Sequence, residues 1–115
     1  MELKYFKPFW SFDVKSFEEW LSYMANEGIV LSKADFNLRI FTFEEGEPKK
    51  LTYRIQYLQS FDGSLPVGLL NDGWIVRTYN PRWYIAENIK GESDITVMPS
   101  RDCILKKNRI IFILL

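Results

Sequence analysis

Histidine is missing from this 115-residue chain, and cysteine occurs once, at Cys103. The first absence removes the commonest general base, the commonest neutral metal ligand and every Ser-His or Cys-His nucleophile arrangement. The second excludes an internal disulfide and a cysteine-built zinc site. Net charge is lacking as well, since 15 Lys and Arg balance 15 Asp and Glu. A nucleic-acid binder needs a basic surface to displace counterions, so no nucleic-acid partner is expected. No apolar run reaches the roughly 20 residues that cross a bilayer. The longest is Ile110 to Leu115, and the N-terminus has no apolar stretch of signal-peptide type. A reducing, cytoplasmic setting is consistent with these absences.

What is present is a globular composition, 47% hydrophobic and 17% aromatic. One domain of ordinary size can bury a core of its own from such a chain. The firmest local signal is Ser16 to Gly28. Phe17, Trp20, Leu21, Met24 and Ala25 recur at the spacing of one apolar helical stripe. Glu18, Glu19, Ser22 and Asn26 then fall largely on the solvent side. Ser16 and Glu19 form a potential capping box, with Asp13 a competing start one turn earlier. Gly28 supplies the left-handed residue that ends a helix.

Strands are expected around this helix. Leu3 to Trp10 reads as one, with Pro8 pointing to an edge or a bulge. Ile29 to Ser32 follows the helix. Leu38 to Phe43 places Leu38, Ile40 and Thr42 on one face and Arg39, Phe41 and Phe43 on the other. Glu44 to Pro48 is a turn. Leu51 to Leu58 alternates again, with Leu51, Tyr53, Ile55 and Tyr57 together. A weak helix around Leu65 to Asn71 ends at Gly73, despite Gly63, Pro66 and Gly68. Trp74 to Tyr79 and Arg82 to Asn88 are two more strands across the turn Asn80-Pro81.

The order strand, helix, strand, strand thus occurs twice. Asn26-Glu27-Gly28-Ile29-Val30 also matches Asn71-Asp72-Gly73-Trp74-Ile75, and Glu45-Gly46-Glu47 matches Lys90-Gly91-Glu92, both 45 residues apart. The expectation is an α+β domain of duplicated β-α-β-β units, a mostly antiparallel sheet of about six strands with two helices on one face. The domain covers residues 1–92, with repeats at about 3–46 and 50–92. Residues 93–115 form a divergent tail in which Lys106-Lys107-Asn108-Arg109 precedes the apolar end. That end reads as a final strand or loosely docked tail, with a shortened membrane segment as the alternative.

Several of these residues resemble a family. Phe9-Trp10-Ser11-Phe12-Asp13, Glu19-Trp20-Leu21 with Met24-Ala25 and Gly28, then Phe41, Phe43, Gly46-Glu47-Pro48 and Tyr53-Arg54, are similar to bacterial domain of unknown function 2812. Asp72-Gly73-Trp74 and Trp83-Tyr84-Ile85 resemble its second half. The resemblance implies no activity and no catalytic residues. It implies a bacterial protein, relatives often encoded beside PadR-type transcriptional regulators, and some relatives that continue into transmembrane helices. By architecture alone, the two units also resemble gyrase-inhibitor-like effector domains, which bind small lipophilic molecules between repeats.

No pair of carboxylates among Glu18, Glu19, Glu27, Glu44, Glu45 and Glu47 is selected by spacing, and no phosphate loop appears. An enzyme is therefore not expected, and neither is a cofactor or a metal. The aromatic content suits core filling. It equally suits a cleft in which Trp10, Trp20, Tyr53, Tyr57 and Trp83, with Glu47 as the carboxylate, take a lipophilic cation. Arg39 and Arg54 belong on an open face or in pairs with glutamates, and would need partners if buried. The leading expectation is a non-enzymatic module that binds a small molecule. The other is a protein–protein interaction module linked to a regulator, or a membrane-associated relative anchored by the C-terminal end. If a cleft exists, the Trp20 helix should form its fixed wall and the weaker helix its mobile side.

Overall fold

The computed structural model describes residues 2–96, Met98 and Pro99. Cys103, the basic run at 106–109 and the apolar end at 110–115 lie outside the described residues. The elements run β1 (Glu2–Phe6), α1 (Val14–Asn26), β2 (Ile29–Asp35), β3 (Ile40–Glu45), β4 (Thr52–Tyr57), α2 (Val67–Asn71), β5 (Ile75–Tyr79) and β6 (Trp83–Asn88). Short 3-10 turns occupy Trp10–Phe12 and Glu92–Asp94. The fold is α+β, with every strand pair antiparallel. The strands divide, however, into two three-stranded sheets, β1-β3-β2 and β4-β6-β5, in place of the single six-stranded sheet expected.

The two sheets share one connection order, with the last strand of each unit in the middle. Each also carries a bulge on its last-but-one strand, at Ser32 between Leu31 and Lys33 and at Arg77 between Val76 and Thr78. A bulge leaves one residue out of the ladder and bends its strand. These bulged strands, β2 and β5, are the ones that face each other across the junction. They meet through a side chain: the Ala34 amide donates to Thr78 Oγ1 at 3.0 Å.

Helix α1 starts at Asp13, one turn before the Ser16 start. The Asp13 carboxylate accepts from the Ser16 amide at 3.1 Å and from the Ser16 hydroxyl at 2.8 Å. An ionised cap also complements the positive end of the helix dipole, which a neutral Ser16 cap would not. The buried stripe is consequently Val14, Phe17, Glu18, Leu21, Met24 and Ala25, with Trp20 at its edge. Glu18 is 2% exposed and not on the solvent side. The helix is covered from two directions, because it packs on β2 of the first sheet and on β4 of the second.

That second contact explains the buried acid. β4 is the end strand of its sheet, and its outward amides have no strand partner. Glu18 Oε2 accepts from the Ile55 amide at 2.7 Å, and Glu18 Oε1 lies 3.8 Å from Arg54 Nη1. Arg54 Nη1 also donates to the Tyr53 carbonyl at 2.8 Å. Arg54 is thus buried and paired with a glutamate.

Alternation along β4 and β6 sets two cores. Tyr53, Ile55 and Ile85 join Trp10, Phe17, Leu21, Phe41 and Phe43 in the larger one. Tyr84 and Ala86, neighbours of Ile85 on β6 and therefore on its other face, join Phe61, Leu65, Leu69 and Trp74 in the smaller one. The two helices therefore contact opposite faces of the second sheet, because α1 fills the space between the sheets while α2 covers the outside. Chain beyond β6 is tied to this outer core. The Asp72 carboxylate accepts from the Thr96 amide at 2.8 Å and from Lys90 Nζ at 3.0 Å.

Other boundaries moved for local reasons. β1 stops at Phe6, and Trp10 turns inward on a 3-10 turn after Pro8, which has no amide to extend a ladder. Arg39 precedes β3 with φ 61°, a left-handed position that takes it off the Phe41 and Phe43 face. Its guanidinium donates to the Pro8 carbonyl at 2.8 Å, tying the β1 exit to the β2–β3 loop. Among the described residues, no helix is long and apolar enough to cross a membrane.

Candidate functional site

The six residues singled out for an aromatic cleft do not assemble into one site. Trp10 and Trp83 meet edge to face at 4.7 Å, Tyr57 meets Trp83 at 5.0 Å, and Phe36 adds to both Trp10 and Trp83. Arg82 Nη1 donates to the Tyr57 hydroxyl at 3.0 Å on this cluster's rim. Trp10 lies within the larger core, so the cluster is filled space. Trp20 belongs to another group with Tyr5 and Phe43, and Lys7 Nζ lies 4.2 Å from its ring centroid. Tyr53 is fully buried between the sheets.

Glu47 is farther still. Trp10 packs on Phe17 near the start of α1, whereas the Glu47 loop is fastened to the helix end. The Gly46 amide donates to the Gly28 carbonyl at 2.8 Å, and the Lys49 amide donates to the Ala25 carbonyl at 2.9 Å. A helix of this length spans about 20 Å. The aromatic cluster and the Glu47 carboxylate therefore occupy opposite ends of α1.

What does gather around Glu47 is a charged cleft where β2 and β5 meet. It is a cavity of about 290 Å³ lined by Val30, Leu31, Ser32, Glu44, Glu45, Gly46, Glu47, Lys49, Arg77 and Glu87. Neither the Trp20 helix, expected as a fixed wall, nor the weaker helix, expected as a mobile side, lines this cleft. Both bulged residues, Ser32 and Arg77, do line it. Each is the residue left out of its ladder, and so its side chain is free to be re-aimed into the junction.

On the second sheet's side, Arg77 and Glu87 form a two-pronged pair. Arg77 Nε donates to Glu87 Oε1 and Nη2 to Oε2, both at 2.9 Å. Glu87 is buried and Arg77 exposed. The hydrogen bonds to Glu87 hold the Arg77 guanidinium still more firmly protonated than usual. Tyr53 stands opposite Glu87 in the β4–β6 register, close to Arg77 and to the Leu31 backbone. Its hydroxyl makes no hydrogen bond of ordinary geometry among the described residues. Burial, and then the Glu87 charge, push its pKa well above the ordinary phenol value.

The lining holds four carboxylates, Glu44, Glu45, Glu47 and Glu87, against two cations, Lys49 and Arg77. The cleft is therefore acidic, and it favours a positive charge small enough to enter. No cluster of three potential ligands with metal-binding geometry occurs among the described residues. Glu87 and the bulges were the missed features. A bulge breaks the two-residue period on which strand reading relies, and Glu87 closes the otherwise apolar run Trp83 to Ala86.

An α+β protein with two like-ordered sheets and a charged cleft at their junction is the class this architecture defines. Residues 13–66 match the model of one family, described as a protein of unknown function (DUF2812). The segment runs from the Asp13 cap to the start of α2, and so takes in α1, the Glu47 loop and β4. No curated protein and no solved structure matches the chain.

Proposed function

We propose that this protein is a non-enzymatic module that binds a small organic cation in the cleft between its sheets. The observation that carries the reading is the Tyr53 hydroxyl. It is a fully buried polar group with no hydrogen bond of ordinary geometry among the described residues, close to Leu31, Arg77 and Glu87, which line an acid-rich cavity. An orphaned buried hydroxyl costs about 1–3 kcal/mol, a cost that ligand-induced rearrangement of Arg77 and Glu87 would relieve. Glu47 and Glu44 supply the outer charge, and Val30 and Leu31 the apolar contact. In this reading the two β-α-β-β units are imperfect repeats, and the cleft lies where they meet. Gly28 and Gly73, and the bulges at Ser32 and Arg77, repeat at the same 45-residue offset as the sequence echoes. The setting is a bacterial cytoplasm.

The test is thermal unfolding with benzyltrimethylammonium and with spermidine, each against sodium chloride at equal ionic strength. A ligand at 100 times its Kd stabilises by about 2.7 kcal/mol. Stabilisation beyond the salt control, diminished by Glu47→Gln and Glu44→Gln, is the expected result. Equal effects of salt and cation, or variants that respond like the parent, would sink the reading.

A second reading is a protein partner, such as a PadR-type regulator or another copy of this chain. It is favoured by Phe6, Phe9 and Phe12, which are 66%, 70% and 61% exposed on one short stretch. Apolar side chains gathered in this way mark interaction surfaces. Association that grows with concentration in size-exclusion chromatography, with no response to cations, would select it.

A further inference from the structure

The first sheet carries a second cavity, on the face turned away from α1. It measures about 510 Å³ and is lined by Lys4, Lys33, Ala34, Asp35, Phe36, Asn37, Leu38, Ile40, Thr42 and Asn80, none of them shared with the acidic cleft. We infer that it binds a small organic anion with an apolar body. The inference does not depend on the cation reading.

The register builds the polar end. Lys4 and Lys33 both stand opposite Thr42, one from each flanking strand, so the three residues form a single rung on the same face. Neighbouring strands lie about 4.8 Å apart, which puts the two lysine Cα atoms about 10 Å from each other. Two long side chains can converge on one carboxylate or sulfonate across that span. Both lysines are exposed, and neither has an ion pair or a hydrogen-bond partner among the described residues. Thr42 between them is buried.

The next rung is apolar in the centre, where Ile40 stands opposite Asp35 on one side and Phe6 on the other. Phe36 and Leu38 come from the β2–β3 loop, and Asn80 closes the cavity from the second sheet. Asp35 is the single carboxylate in the lining, and its Oδ1 accepts from the Asn37 amide at 3.1 Å and the Leu38 amide at 2.9 Å. Two uncommitted ammonium groups against one engaged carboxylate decide the sign of the ligand. Its charged head meets the lysine rung, and its body lies along Ile40, Phe36 and Leu38. The volume is in the range of about 300–1,000 Å³ usual for small-molecule pockets.

The probes are naphthalene-2-sulfonate and its neutral counterpart 2-naphthol, titrated into the ¹⁵N-labelled protein and followed by amide chemical shifts. Sulfonate should move the amides of Lys33, Ala34, Thr42 and Asn80. Lys4→Gln and Lys33→Gln should each weaken it about fivefold, as expected for losing one exposed charge contact. Lys33→Arg should keep binding, while Lys15→Gln on α1 should leave it unchanged. Melting curves of the exposed lysine variants should overlay the parent, separating binding from folding. Equal affinity for 2-naphthol would overturn the inference, since the lysines would then contribute nothing. Shifts centred elsewhere, or binding only to anionic lipid vesicles, would overturn it too.

Discussion

Gly28→Ala isolates the contact that holds the Glu47 loop against α1. Gly28 has φ 84°, and a Cβ built on it would lie 2.6 Å from the Gly46 carbonyl oxygen. A side-chain-bearing residue in the left-handed region costs roughly 1–2 kcal/mol. The clash is with backbone, so no rotamer change relieves it. The loop must retreat, and the Gly46 amide to Gly28 carbonyl bond at 2.8 Å is the first contact disturbed. Losing one such bond costs about 1 kcal/mol. The sum is about 2–3 kcal/mol, a large share of the 5–15 kcal/mol typical of a domain. With a urea m-value of about 1.5 kcal/mol/M, the unfolding midpoint should fall by about 1.3–2 M. Gly46→Ala is the control on the other side of the same contact. Nothing lies within 4 Å of a Cβ there, and Gly46 is not among the left-handed glycines. Its midpoint should stay within about 0.5 kcal/mol of the parent. Coincident urea midpoints for the two variants would refute the reasoning.

Three further outcomes follow from buried groups. Glu18→Ala should lose about 3–5 kcal/mol in urea unfolding, because it removes both the opposite charge beside Arg54 and the acceptor for the Ile55 amide; Glu18→Gln, which keeps an acceptor, should lose clearly less. Tyr53→Phe should stabilise the free protein by about 1 kcal/mol by deleting the orphan hydroxyl, while reducing the thermal shift that an organic cation produces. Burial pushes the Tyr84 hydroxyl up to about 12, so the folded state holds this proton more tightly than the unfolded chain does. Stability should therefore be intact below about pH 10 and decline as the pH rises toward 12, with a flatter decline for Tyr84→Phe in urea midpoints measured across that window.

Periodicity is legible where a side chain's surroundings repeat with the backbone, and it fails where a neighbour breaks that repeat. The Phe17, Leu21, Met24 and Ala25 stripe, the short helix before Gly73, and the alternation of Tyr53, Ile55 and Tyr57 all depend on backbone geometry, and all stand in the structure. The sequence pattern places Glu18 toward solvent, where a carboxylate beside an apolar stripe usually lies. It is nevertheless four residues after Val14 and three before Leu21, in the middle of the stripe once Asp13 begins the helix. Its burial comes from the unpaired edge of β4, a distant partner that no local pattern reveals. The division into two sheets is hidden for a similar reason, since the bulges at Ser32 and Arg77 occur in stretches whose letters read as unbroken strand.

The bulges also explain why charged side chains, and not the aromatic cluster, line the junction. Trp10, Phe17 and Tyr53 point into the larger core. Beside the paired strand residues Val30, Leu31 and Glu44, the junction is lined by residues released from the period or placed at a strand end and in its loop. Ser32 and Arg77 are released by bulging, and Glu45, Gly46, Glu47 and Lys49 arrive from the end of β3 and its loop. The resulting cleft is charged because charged side chains tolerate partial exposure at a junction where apolar ones would be drawn inward. Glu87 is a charged strand residue kept at the cleft although buried. It is held there because Arg77, displaced by its own bulge, reaches it with two hydrogen bonds. The irregularity in β5 and the acid in β6 thus support each other, and the buried Tyr53 hydroxyl lies close to both Arg77 and Glu87.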